Sequence, residues 1–151
     1  MIQVIENAEE KKCISRKILE ALPEWFGISE AREEYILNSV HQHFFAAMED
    51  EIPVGFLCLK KTGKDTVELY VLGVLKEFHR NGIGRKLFLY AKDYAVRNGF
   101  SFIQVKTVQM GRYDEYDITN KFYLSLGFKE FEVFPDLWDE WNPCQIYIMS
   151  I

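Results

Sequence analysis

The sequence is poor in the features that mark several protein classes. Its three cysteines, Cys13, Cys58 and Cys144, are widely separated and odd in number. They form no CxxC pair and no metal-ligand spacing, so we expect reduced thiols and no metal site. No apolar run approaches the roughly 18 residues that a membrane helix needs. The opening MIQVIENAEEKK has too short an apolar stretch for a signal peptide. We therefore expect a cytoplasmic protein that does not enter a membrane.

Basic residues are also in the minority. The net charge is -5, which argues against nucleic acid as a partner because neutralising phosphates requires a basic face. With 151 residues, of which 48% are hydrophobic, the chain can bury one sizeable core. No linker, repeat or low-complexity tract divides it. We expect one domain over residues 1–151.

Hydrophobic periodicity predicts alternating strands and helices. Strands are expected at 2–5, 43–48, 54–59, 67–75, 102–108, 129–133 and 145–151. Helices are expected around 14–22, from Ser29 as N-cap, over 82–97, and over 118–126 with Asp117 as N-cap. The run 67–75 is almost entirely apolar or aromatic, which is typical of a strand buried on both faces. These elements predict an α/β fold, a mixed twisted sheet of about seven strands with helices on both faces.

A glycine pair follows that buried strand. Gly82 and Gly84 open the long helix, where free backbone N–H groups and the positive end of the helix dipole can bind an anion. Arg80, Arg85 and Lys86 add positive charge, and pyrophosphate is a natural guest. The same pattern can also be an ordinary tight turn. It is neither a P-loop nor a Rossmann fingerprint, which disfavours a nucleotide-binding protein.

Two segments together carry a family resemblance. VLGVLKEFHRNGIGRKLFLYA, followed about thirty residues later by NKFYLSLGF, resembles the GNAT superfamily of acyl-CoA-dependent N-acetyltransferases. The family's loop begins with Gln or Arg, where this chain has His79 followed by Arg80. The resemblance implies acetyl-CoA as cosubstrate, without a metal.

The resemblance also implies a cofactor site. In the family the fourth strand splays from the fifth, and the pantetheine arm enters the gap. Backbone groups of Leu72 and Val74 would bind this arm, and Gly73 is consistent with a bulge there. The phosphates would meet residues of the loop and first helical turn, namely His79, Arg80, Asn81, Gly82, Ile83, Gly84, Arg85 and Lys86. Asn120 would touch the cofactor from the last helix.

Catalytic groups are implied in the same way. Tyr123 matches the tyrosine that protonates the departing thiolate; the alternative, which is less favoured, is a core aromatic. Glu68 matches a general-base glutamate of one branch of the family, but a solvent-facing strand-end residue or an ordered water acting as base is an equal alternative. The expected activity is direct acetyl transfer to a primary amine; a non-catalytic acyl-CoA-binding module is the alternative.

The acceptor site is expected between LPEWFG and DLWDEW. These segments combine aromatic and acidic residues, Trp25, Phe26, Trp138 and Trp141 with Glu24, Asp136, Asp139 and Glu140. Such a set suits a small cationic amine through charge and cation–π contact. A protein amine remains open as acceptor, and the tryptophans could instead be core residues or part of a homodimer surface.

Overall fold

Seven strands form one sheet, and five α-helices pack on its two faces, in a computed structural model that describes residues 1–151. The strands are β1 (Ile2–Ile5), β2 (His43–Glu49), β3 (Ile52–Lys61), β4 (Thr66–Val74), β5 (Phe102–Val108), β6 (Lys129–Asp139) and β7 (Asn142–Ser150). The helices are α1 (Ala8–Glu20), α2 (Pro23–Phe26), α3 (Ser29–Ser39), α4 (Ile83–Arg97) and α5 (Asp114–Leu126). None of them combines the length and hydropathy needed to cross a membrane.

The strand order is β1-β2-β3-β4-β5-β7-β6. Only β4 and β5 run parallel, and every other neighbouring pair is antiparallel. Helix α4 makes the crossover between the two parallel strands, as parallel pairing requires. The predicted α/β fold with a mixed seven-stranded sheet is confirmed.

Helices cover both sides of the central strands. In β3, Phe56 lies beside Gly73 and Ile18 of α1, whereas the preceding Gly55 faces Leu87 of α4. Successive strand residues point to opposite faces, so α1 and α4 lie on opposite sides of the sheet. Helix α4 buries Leu87 and Ala91, which are four residues apart and share one helical face.

Two helix starts differ from the sequence prediction. Ser29 is the first residue of α3, and Ile28 occupies the cap position without a side-chain hydrogen bond. Helix α5 begins at Asp114, one turn before the predicted start at 118. Asp117 is therefore not the cap but a first-turn residue, and its carboxylate accepts a 2.7 Å hydrogen bond from Gly111 N. Three acidic residues in that turn complement the positive end of the helix dipole.

The segment FPDLWD was expected to be a loop but extends β6 to Asp139. It forms a hairpin with β7, and the regular pairing is interrupted between Phe134 and Asp139. Pro135 lies in that interrupted stretch of an edge strand, where its missing N–H costs no ladder hydrogen bond.

Candidate active site

The two parallel strands separate before β4 ends. Their pairing runs from Thr66 with Phe102 to Leu69 with Val105 and then stops, although β4 continues to Val74. Beyond Leu69 the β5-facing backbone of β4 has no strand partner. The pairing with β3 is irregular at the same point, because Cys58 faces Val71 and the next residue faces Leu69. The extra residue is Tyr70, so a β-bulge begins where the strands part.

Gly73 does not form this bulge. It pairs regularly with Phe56, and a Cβ atom at this position would lie 3.0 Å from Ile18 Cγ2. Glycine is needed there because α1 packs closely on β4, rather than because the strand bends.

A cavity of about 1070 Å³ begins in the gap between β4 and β5. It extends to the start of α4 and is closed on the other side by α2, α3 and α5. Leu72, Val74 and Tyr123 all line it. From the loop and first turn of α4 the lining takes His79, Arg80, Gly82, Ile83, Gly84 and Arg85. Asn81 and Lys86 are neighbours of this lining in the chain.

The start of α4 presents unpaired backbone donors to the cavity. Gly82 has φ +76°, a left-handed conformation that glycine adopts without strain. The first helical hydrogen bond runs from Lys86 N to Gly82 O, which leaves the N–H groups of the first turn without a helical acceptor. A Cβ on Gly84 would lie 3.1 Å from the Phe122 ring, so the glycine also allows α5 to approach. Such donors, together with the positive end of the helix dipole, can bind an anion.

His79 turns back toward β4. Its Nε2 lies 2.6 Å from the Val74 carbonyl oxygen and donates to it, because a carbonyl can only accept. The ring also meets the Trp25 ring edge-on at 5.9 Å between centroids. His79 thus links the end of β4 to α2 at the mouth of the cavity.

Tyr123 and Asn120 occupy adjacent turns of α5 but have different surroundings. Tyr123 is 7% exposed and lines the cavity, and burial raises the pKa of its phenol. Asn120 is fully buried outside the lining. Its Nδ2 donates to the Val108 and Tyr116 carbonyls at 2.9 and 2.6 Å, and its Oδ1 accepts from the Tyr147 hydroxyl at 2.6 Å. These bonds use the whole amide to join α5 to β5 and β7.

Glu68 is buried in β4 next to a lysine of β5. Lys106 Nζ lies 3.1 Å from Glu68 Oε1, and the Glu68 side chain is only 7% exposed. Lys106 lines the cavity, whereas Glu68 does not. The lysine therefore separates the carboxylate from the cavity space.

The opposite wall is aromatic. Trp25 Nε1 donates to the Glu115 carbonyl at 3.2 Å, and the Tyr116 hydroxyl donates to the Trp25 carbonyl at 2.9 Å. These two bonds hold α2 against α5. Tyr35 of α3 packs edge-on against Phe26 and Tyr70, with centroid distances of 5.7 and 5.1 Å.

The acidic residues expected in this wall are either bound to other groups of the chain or lie outside the cavity lining. Glu24 forms an ion pair with Lys76. Asp139 lines the cavity with Trp138, but its Oδ1 accepts from the backbone N–H groups of Trp141 and Asn142 at 2.8 and 2.9 Å. Asp136, Glu140 and Trp141 lie outside the lining. The Asp139 carboxylate therefore stabilises the turn of the β6–β7 hairpin.

Several lining residues had no signal in the sequence motifs. Arg32 and Tyr35 of α3 line the cavity together with Tyr70 of β4, and the Tyr35 ring contacts the Tyr70 ring. Lys106 was detectable, because a lysine in the predicted strand FIQVKTV is an unusual residue for a central strand. The positions of the other three residues could be found only from the three-dimensional structure.

Comparisons with known proteins agree with this architecture. The family model described as the acetyltransferase (GNAT) family matches residues 7–128. A GNAT-family acetyltransferase structure from Desulfovibrio desulfuricans has a TM-score of 0.84 at 18% identity, covering 99% of this chain and 98% of the other. No curated protein sequence matches significantly.

Two further structures were determined with coenzyme A. An aminoglycoside 6'-N-acetyltransferase has a TM-score of 0.78 at 20% identity, covering 99% of this chain and 96% of the other. The PaiA N-acetyltransferase of Thermoplasma acidophilum has a TM-score of 0.75 at 20% identity, with 100% and 99% covered. These likenesses show the fold, and the family match covers most of the chain. The chain belongs to the GNAT family of acetyltransferases.

Proposed function

We propose that the protein transfers an acetyl group from acetyl-CoA directly to a primary amine. The observation that carries the proposal is the gap between β4 and β5, which leads from an unpaired strand edge to the free N–H groups of α4. An extended chain that ends in a pyrophosphate fits both features. Acetyl-CoA supplies the activated acetyl group, and the protein binds and orients it.

Backbone and side-chain groups would share the binding. Leu72 and Val74 offer main-chain groups along the gap, while the N–H groups of Gly82, Ile83 and Gly84 face the phosphates. Arg80 and Arg85 add positive charge, and Arg85 is held in place by the Ser125 carbonyl at 3.3 Å. Asn81 and Lys86 would act at the rim of this site, and His79 would keep the Val74 carbonyl oriented.

Tyr123 is the proposed acid. The residue lines the cavity, and burial raises the pKa of its phenol, so the phenol would keep its proton at neutral pH until the thiolate departs. Asn120 would position Tyr123 by fixing α5 against the sheet, rather than touch the cofactor.

Glu68 is the proposed base; because Lys106 lies between its carboxylate and the cavity, it would take the proton of the amine through an ordered water rather than directly. Glu68→Gln keeps an acceptor for the lysine but removes the basic carboxylate. We expect it to lower kcat on the order of 10²-fold. Unchanged turnover would leave water as the base.

Direct transfer is supported by the state of the thiols. Cys58 and Cys144 are buried, and burial raises the pKa of the Cys144 thiol to about 11. Neither is therefore a thiolate at neutral pH, which an acyl-enzyme route would require. We propose a cytoplasmic enzyme that acts on a small amine, in keeping with its unpaired cysteines.

The test combines binding with turnover. CoA and acetyl-CoA should raise the melting temperature, whereas NAD and ATP should not, since a ligand that binds only the folded state stabilises it. Thiol release from acetyl-CoA should then depend on added amine. Stabilisation by CoA without release for any amine would favour the non-catalytic module. Equal stabilisation by ATP would contradict the CoA site.

A further inference from the structure

We propose that Arg32 binds a carboxylate of the acceptor, so that the acceptor is an amine that also carries a carboxylate on an apolar body. This inference deepens the proposed function and rests on it. Arg32 lies on α3 and lines the cavity on the wall opposite the cofactor loop. An amino acid has the required chemistry.

The guanidinium of Arg32 is only partly satisfied within the chain. Its Nη1 donates to the Phe26 carbonyl oxygen at 3.1 Å. Its Nε is buried and has no hydrogen-bond partner. Buried polar groups are nearly always hydrogen-bonded, so an unpaired guanidinium N–H indicates a partner from outside the chain.

The acidic residues of α3 do not supply that partner. Glu33 is adjacent to Arg32 in sequence, but both of its carboxylate oxygens are bound by Arg16, at 2.9 and 2.6 Å. No carboxylate of the chain forms an ion pair with Arg32. Since Glu33 is held from the other side, the arginine remains available to the cavity.

The free edge of Arg32 has the geometry for a carboxylate. With Nη1 engaged by Phe26, the Nε–H and the adjacent Nη2 remain, and these two donors form a parallel fork. Such a fork binds both oxygens of a carboxylate at once, which a lysine cannot do. The Phe26 carbonyl therefore occupies one donor and leaves the Nε–Nη2 edge without a protein partner; a carboxylate that binds both donors has to displace the side chains that enclose Nε in the free protein.

The surrounding wall indicates the rest of the acceptor. Phe26, Tyr35 and Tyr70 line the cavity together with Arg32, and the Tyr35 ring contacts the rings of the other two. The cavity carboxylates of Glu24 and Asp139 are already bound, to Lys76 and to the hairpin turn. Glu115 is the remaining acidic residue of the lining. An apolar body with a carboxylate thus fits this wall better than a polycation does.

Binding of the acetylated product tests the inference without turnover. The affinities of the twenty N-acetyl amino acids and of their C-terminal amides are measured by calorimetry on the CoA-bound protein. We expect at least one acid to bind about 10-fold to 100-fold tighter than its amide, as charge-assisted hydrogen bonds imply. Arg32→Gln should remove this difference and leave CoA affinity unchanged. Arg32→Lys, which keeps the charge but not the fork, should retain part of it.

Arg97→Gln is the matched control, because Arg97 pairs with Asp93 on α4 away from the cavity. If no acid binds better than its amide, or if Arg32→Gln and Arg32→Lys weaken acid and amide equally, the inference is wrong. Arg32-dependent binding without thiol release would refute the proposed function and keep the inference. Turnover of amines that lack a carboxylate, unaffected by Arg32→Gln, would do the reverse.

Discussion

Two tyrosines of α5 face the same cavity with different hydrogen bonding. Tyr116 donates its hydroxyl to the Trp25 carbonyl, whereas Tyr123 has the more strongly buried phenol and no such bond to α2. The difference makes one a structural link and leaves the other free to give a proton.

Tyr123→Phe should therefore fold normally and bind acetyl-CoA with unchanged KM while kcat falls on the order of 10²-fold. Steady-state thiol release measures both constants. Tyr116→Phe is the control: it should lose about 1 kcal/mol of stability through the missing hydrogen bond and keep most of its kcat. Wild-type kcat in Tyr123→Phe would remove the tyrosine from the mechanism.

Individual residues could be predicted from the sequence where the backbone conformation or a close approach allows only glycine. Gly82 has a positive φ, and a larger residue at Gly84 would crowd Phe122, so both glycines stand out in the sequence. The roles of Asn120 and Asp139 were harder to predict. Amide and carboxylate groups can bind a ligand or the chain itself, and only the positions of neighbouring elements decide which.

The start of α4 combines the proposed phosphate site with a close helix contact, and substitutions at Gly84 separate the two. Gly84→Ala should lower stability, because its Cβ crowds the Phe122 ring, yet retain CoA binding. Gly84→Glu should lose CoA binding, since a carboxylate then stands where phosphates approach the helix. Calorimetric Kd values compare the two variants. Wild-type affinity in Gly84→Glu would exclude the loop as the phosphate site.

The β6–β7 hairpin depends on one side chain at its turn. Asp139→Ala should lower the free energy of unfolding by about 1 kcal/mol, because the Trp141 and Asn142 N–H groups lose their acceptor. Asp136→Ala, on the same strand without such a bond, should change it by less than about 0.5 kcal/mol. Urea denaturation provides the measurement. Equal effects would show that the turn does not need the carboxylate.

Whole elements were predicted well wherever burial imposed a strict period. The bounds of β5 match the prediction, and α4 differs by one residue. The errors lie at the starts of α1, α3 and α5, at the short helix α2 and at β6, in segments that are polar or contain proline. There hairpin pairing and the helix dipole determine the structure, and neither produces a hydrophobic period.

Buried thiols and phenols make the molecule as a whole sensitive to alkali. Burial raises the pKa of Cys58, Cys144 and Tyr123 in the folded state. The unfolded chain ionises first, so stability is intact below the unfolded pKa values and is lost as pH rises above about 9. Melting temperatures measured from pH 7 to 11 should fall across that window.

The cysteines allow a matched comparison of this effect. Cys144→Ala should make the decline with pH less steep, whereas Cys13→Ala should leave the slope unchanged because Cys13 is exposed. The slope is compared rather than the absolute melting temperature, since truncating a buried side chain has its own cost. Identical slopes in both variants would contradict the assignment.

The parting of β4 from β5 has a mechanical consequence. Only four residue pairs join strands β1–β4 to strands β5–β7, so backbone hydrogen bonding couples the two parts of the sheet weakly. An extended ligand bound along the unpaired part of β4 would connect the two parts of the sheet. The rigidity of the sheet would then depend on whether CoA is bound. The β4 amide hydrogens that point into the gap beyond Leu69 should exchange with deuterium readily in the free protein and slowly with CoA, while those bonded between β2 and β3 stay unchanged. Even protection over the whole sheet of the free protein would mean that its two parts are already rigidly joined without CoA.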